Sequence, residues 1–253
     1  MSPYIVKSYR IKNIPVLQRV LRTERISVER LEIETSRSGG ISMGLLKLLT
    51  SDPLAFALVA IPLLFSIIIH EVAHGWVAYR MGDPTAKWLG RLSLNPIKHL
   101  DPIGTLMLFL FGFGWAKPVP VNFTNISDRR KGLIFVSSAG ILANILFAFF
   151  ALLLIRLFST SSSGIALTLV YKVCQYVALI NITLAALNLI PIPPLDGSKI
   201  LMGIVSERTL YFLARLEPYG FFIIIGFLYL GILNPIIGFF QWIIVTLISI
   251  VLP

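Results

Sequence analysis

Charge is scarce in this chain. Its 253 residues include 22 Lys or Arg and 12 Asp or Glu, a charged share of 13%, about half that of a soluble domain. Cysteine is rarer still: Cys174 stands alone, which excludes a disulfide-stapled secreted scaffold. Histidine occurs three times. What fills the chain instead is apolar. Hydrophobic residues make up 56% and the mean hydropathy is +0.84, which excludes both a disordered chain and an ordinary soluble enzyme and makes lipid the solvent. The net charge of +10 does not point to nucleic acid. The basic residues lie between apolar runs rather than on one face, as in the loops of a membrane protein.

The charges are unevenly spread. Residues 1–42 hold eight Lys/Arg and four Glu, with no long apolar run. From Met43 onward charge-free stretches follow one another: Pro53 to His70, Pro102 to Ala116, Gly132 to Ile155, Val173 to Leu195 and Pro218 to Pro253. A helix needs about 20 apolar residues to cross the hydrocarbon core. The first, third and fourth runs therefore predict spanning helices, and the last divides into two, with Asn234-Pro235 as the expected break. The second run is short and rich in glycine and aromatics, as in Phe111 to Trp115, and fits a re-entrant or interfacial segment, which is tolerated where protein covers its backbone. The expected fold class is thus an all-α polytopic membrane protein of about five transmembrane helices, a re-entrant piece and a small β element near the site. The sequence shows no internal repeat and no cleavable secretory signal. Two units are expected: a polar basic tail over 1–42, dispensable for activity and either poorly ordered or not native, and a membrane-embedded domain over 43–253. If the tail is not native, Met43, just before the first apolar run, is the expected start.

The chemistry concentrates in His70-Glu71-Val72-Ala73-His74. On a helix, positions i and i+4 share a face, so both imidazoles reach one metal ion. Glu71, one step round, is placed to act as general base on a metal-bound water. The pentad holds two of the three histidines and follows the apolar run Leu54 to Ile69, at a depth where ionisable groups are costly and usually functional. A catalytic zinc site wants a third protein ligand and one open position. His99 is one candidate, in the proline-bracketed stretch Asn95 to Pro102. Asp196 is the other, in Asn188-Leu189-Ile190-Pro191-Ile192-Pro193-Pro194-Leu195-Asp196-Gly197. There the prolines must break the helix, and a cation would offset the cost of a carboxylate at that depth. A helix that simply ends at the interface, with a solvated Asp, is the structural alternative.

These two motifs together resemble the site-2 protease family of intramembrane zinc metalloproteases. Further stretches resemble its compact prokaryotic branch: Gly82 to Ala86, Gly90 to Pro96, Asp101 to Thr105 and Gly114 to Asn122. The likeness covers about residues 53–220. It implies one zinc ion held by His70, His74 and Asp196, in favour of Asp196 over His99, with Glu71 and Asn188 as the catalytic pair. One departure is Gly140-Ile141-Leu142-Ala143-Asn144, where the family commonly has proline after the glycine. No loop has room for an inserted PDZ domain.

The implied activity is hydrolysis of peptide bonds within or next to transmembrane segments of protein substrates. Glu71 shuttles the proton, and Asn188 serves the oxyanion or the substrate backbone. The substrate must unwind, and Gly90 to Asn95 is the nominated strand edge for it. A metal transporter is disfavoured because it needs a polar relay across the bilayer. An inactive zinc-binding membrane module is disfavoured because such a site has no use for Glu71. Asn144 and Asn181 are expected to bond neighbouring helices, the tryptophans to mark interfaces, and Phe221 and Phe222 to face lipid or pack. Four Lys/Arg in Arg80 to Asp101 and four in Lys117 to Lys131, against none in Ser159 to Gly164, put the metal site toward the cytoplasm of a prokaryotic cell membrane.

Overall fold

The computed structural model describes residues 44–111, 114–158 and 165–252. The expected tail over 1–42 lies outside them.

Helix α1 (Gly44–Ser51) leads into α2 (Pro53–Arg80). Asp52 caps α2 by accepting the Ala55 amide at 2.9 Å, and Pro53 occupies the first turn, where its missing N–H costs nothing. Twenty-eight residues at 1.5 Å each give about 42 Å, enough to cross the hydrocarbon core and carry the pentad beyond its middle. The helix stops where Gly82 takes φ +108 and Pro84 follows. A short α3 (Thr85–Trp88) and a 3-10 turn at Pro96–Lys98 come next.

The segment after them returns on itself. Helix α4 (Pro102–Phe111) is about 15 Å long, half a bilayer core. Leu100 forms an antiparallel bridge with Ala116, and the Lys117 amide donates to the His99 carbonyl at 2.9 Å. The chain therefore enters and leaves this short helix at one place, as a re-entrant segment does. That bridge is also all that the expected β element amounts to: no strand occurs among the described residues. Gly90 to Asn95, nominated as a strand edge, is turn and bend. Gly90 sits at φ +62, and the Ser93 hydroxyl and Asn95 carboxamide accept local amides, bonds that replace a ladder.

Helices α5 (Arg129–Phe158) and α6 (Ile165–Asn188) form the centre. Ile141 and Ala148 of α5 pack with Ile182, Ala185 and Ala186 of α6; Ala151 and Ile155 pack with Cys174 and Ala178. Helix α7 (Asp196–Ile204) folds against α5, where a Cβ at Gly203 would meet Ile134 Cγ1 at 2.5 Å. Helices α8 (Glu207–Leu216), α9 (Gly220–Tyr229) and α10 (Leu233–Val251) complete the chain. Among the described residues, five stretches are long and apolar enough to cross a membrane: 53–80, 129–158, 167–188, 207–229 and 233–251. Large apolar side chains such as Leu142, Phe150, Phe222 and Ile250 stand exposed on their outer faces, where lipid rather than water suits them.

The last apolar run does break in two, but earlier than Asn234-Pro235. Gly231 at φ +72 makes the turn between α9 and α10. Pro235 falls in the first turn of α10, where no intrahelical bond needs its N–H. Glycine, not proline, supplies the corner.

Candidate metal centre

His70 and His74 lie one turn apart on α2, both buried, and their rings meet edge to face with centroids 4.6 Å apart. Asp196 arrives from 122 residues further along. Helix α6 ends at Asn188, Pro191, Pro193 and Pro194 prevent its continuation, and α7 restarts the helix with Asp196 in its first turn. Asp196 Oδ2 lies 3.0 Å from His70 Nε2 and 3.1 Å from His74 Nε2, and the two Nε2 atoms are 3.0 Å apart.

The donor set fits zinc. His74 Nδ1 donates to the Val136 carbonyl at 2.7 Å, which puts the ring proton on Nδ1 and turns the Nε2 lone pair toward the cluster. Two imidazole nitrogens and one carboxylate oxygen are then brought together in a buried space, a repulsive arrangement that a cation relieves, and they are the ligand types of a catalytic zinc site. Among the described residues they form a group able to hold a metal. Gly140 of α5 makes the room: a Cβ there would lie 2.5 Å from His74 Nε2 and 2.6 Å from His70 Cε1.

His99 takes no part. It is fully buried and donates from Nε2 to the Ser93 carbonyl at 2.7 Å, stabilising the loop that runs toward α4. Glu71 and Asn188, by contrast, line the same cavity as the cluster, a space of about 590 Å³. Glu71 Oε2 accepts the Val119 amide at 2.8 Å, so one carboxylate oxygen is held and the other is free of that bond. Asn188, the last residue of α6, donates one amide hydrogen to the Leu184 carbonyl at 3.0 Å.

The segment bearing Val119 is pinned from two sides. Arg91 donates to the Lys117 carbonyl at 2.7 Å. Buried Asp83 accepts from the Thr85 hydroxyl at 2.5 Å, the Asn125 carboxamide at 2.7 Å and the Asn122 amide at 2.7 Å. Burial pushes the Asp83 carboxyl up, but these bonds outweigh it and hold it below the usual carboxylate range. The segment presses so closely on α2 that a Cβ at Gly75 would meet Val119 Cγ1 at 2.7 Å.

Several lining residues escape the sequence reading. Trp115 and Phe221, expected at an interface and in packing, line the cavity and stack edge to face at 5.2 Å. Lys199 and Glu217 line it too. Lys199 lies three residues after Asp196 on a helix, a spacing that shares a face and so was legible. The Val119 amide was not, because a backbone donor leaves no trace in residue identity.

Comparison with known proteins agrees with this geometry. The profile of Peptidase family M50 matches residues 158–230. The chain is 39% identical over 166 residues to YwhC of Bacillus subtilis, whose name designates it a candidate zinc metalloprotease; the match spans 64% of this chain and 76% of that protein. It is 31% identical over 184 residues to Rip2 of Mycolicibacterium smegmatis, named in the same way, across 71% of this chain and 69% of the relative. A zinc metalloprotease of Methanocaldococcus jannaschii, MJ0392, is 26% identical over 161 residues, across 64% of this chain and 38% of that one. No solved structure matches the chain significantly. With a multi-pass helical fold, a buried His-His-Asp cluster and the two bacterial relatives matched over most of their length, the chain belongs to peptidase family M50, the site-2 protease family, and is a zinc metallopeptidase of the membrane.

Proposed function

We propose that the protein hydrolyses peptide bonds within or beside transmembrane segments of membrane-protein substrates. In this reading His70, His74 and Asp196 hold one zinc ion, Glu71 is the general base and Asn188 a donor to the reacting carbonyl. The observation that carries it is the meeting of the His-His-Asp cluster with Glu71 on one cavity of a 28-residue apolar helix.

Zinc, when bound, supplies Lewis acidity and lowers the pKa of water toward neutrality. The residues do the rest. Val119 holds Glu71 by Oε2, leaving Oε1 to take the proton of the attacking water and pass it to the leaving amine. Asn188 keeps its second amide hydrogen, the first being spent on Leu184, for the oxyanion or the substrate backbone. Val121, Phe123, Val136 and Phe221 give the cavity apolar walls, which strengthen each of these polar contacts by limiting water. A transmembrane substrate unwinds before it binds, because a helical peptide bond is shielded by its own hydrogen bonds.

The positive-inside pattern supports a cytoplasmic site in a prokaryotic cell membrane, since both basic loops share a side when Pro102 to Ala116 is re-entrant. Residues 43–253 are proposed as the protease unit. Glu71→Gln tests the reading: it should keep zinc and lose cleavage of a transmembrane peptide in single turnover, whereas wild-type cleavage by that variant would sink the mechanism.

A further inference from the structure

We infer that Ser66, Asn144 and Asn181 build a water site one turn along from the metal cluster, and that the water held there accepts the Nδ1–H hydrogen bond of His70, which makes Asn144 a positioning residue for that ligand. The inference rests on His70 being a zinc ligand.

The two histidines are unequally supported. His74 Nδ1 has the Val136 carbonyl, while His70 Nδ1 is buried and meets no partner among the described residues. With its Nε2 lone pair turned to the cluster, His70 carries its proton on Nδ1 and needs an acceptor, as metal-bound histidines nearly always have.

The register of the helices brings polar groups to the next turn. Helices α2 and α5 run antiparallel: Val136 meets His74, and Gly140 meets His74 and His70. One further turn, back along α2 and on along α5, sets Ser66 opposite Asn144. Both are fully buried. Helix α6 contributes Asn181, also fully buried, which donates to Ser66 Oγ at 2.7 Å and to the Val177 carbonyl at 2.8 Å. Ser66 donates to the Pro62 carbonyl at 2.6 Å.

The open valences name the ligand. Asn144 Nδ2 and Oδ1 and Asn181 Oδ1 are buried without a partner among the described residues, as is His70 Nδ1. The layer therefore offers donors and acceptors together. Water satisfies both and commonly bridges such groups. A cation would serve the two carboxamide oxygens, but it cannot accept from His70 Nδ1–H or Asn144 Nδ2–H. Small neighbours suit a water: Gly140 and Ala148 flank Asn144 on α5, and Ala185 packs from α6.

The test is zinc affinity, by chelator competition on purified protein, for wild type, Asn144→Leu, Asn144→Asp and His70→Ala, together with the melting of the zinc-free forms. Asn144→Leu should weaken zinc roughly 10- to 100-fold while the zinc-free protein keeps a single cooperative melt, which places the loss in the support of the ligand and not in the fold. Asn144→Asp, which can still anchor the water, should restore most of the affinity. Wild-type zinc affinity in Asn144→Leu, with His70→Ala losing zinc, overturns this inference alone. Zinc retained at wild-type affinity by His70→Ala overturns the ligand reading as well. If Asn144→Leu does not fold, Asn181→Leu, which removes the acceptor contributed by α6, takes its place with the same two outcomes.

Discussion

Gly140 of α5 sits against His74 so closely that a single added carbon would lie 2.5 Å from the ring nitrogen that faces the cluster. Glycine inside a helix costs up to about 1 kcal/mol relative to alanine, so helix propensity alone favours replacing it. Gly140→Ala should therefore leave the zinc-free protein folded yet weaken zinc by at least about tenfold, for displacing a ligand from its lone-pair direction is worth no less than a lost outer partner. Zinc titration beside thermal melting separates the two effects.

Asp196 and His99 compete for one role and make opposite predictions. Asp196→Ala should lower zinc content and peptide cleavage together. His99→Ala should keep zinc while losing roughly 1–3 kcal/mol of stability, because the part-buried Ser93 carbonyl loses its donor and the fully buried imidazole is removed. Metal analysis of the purified variants decides it, and zinc lost with His99 but kept without Asp196 would reverse the assignment.

Asn188→Ala should retain zinc and slow turnover by 2.7–4 kcal/mol, about a hundred- to a thousandfold, the usual cost of one oxyanion donor. Unchanged turnover would reduce Asn188 to the residue that ends α6.

The Asp83 clamp predicts an acid sensitivity of known sign. Its pKa is depressed in the folded protein, through hydrogen bonds that outweigh burial. Its contribution is therefore complete above an unfolded value of about 3.9 and is lost as pH falls through the folded value. Asp83→Asn should melt below wild type at neutral pH, and the gap should close as pH is lowered beneath about 4. A gap constant across that range would show that the charge is not what holds the Asn122 and Asn125 loop.

Cysteine labelling tests topology in a Cys174→Ala background. Lys87→Cys and Arg129→Cys should react from the cytoplasmic side and Thr160→Cys from outside. Reaction of positions 87 and 129 from opposite faces would end the re-entrant reading.

Pattern carried much of this protein. Four of the five apolar runs gave the five membrane-length helices found among the described residues, the last run dividing in two, because in lipid the backbone must satisfy itself, and the i, i+4 histidines share a face because helix geometry requires it. Asp196 stood out because an acid after 23 charge-free residues demands a partner. The corner at Gly231 was less legible, since Asn234-Pro235 advertises a break more loudly than a lone glycine. What the tertiary structure alone decided are the contacts made by backbone atoms and by atoms a residue lacks. The Val136 carbonyl that sets the His74 proton, the Val119 amide that holds Glu71 and the missing Cβ of Gly140 depend on how distant segments pack. Every residue has a carbonyl and nearly every one an amide, so only their placement gives them a role.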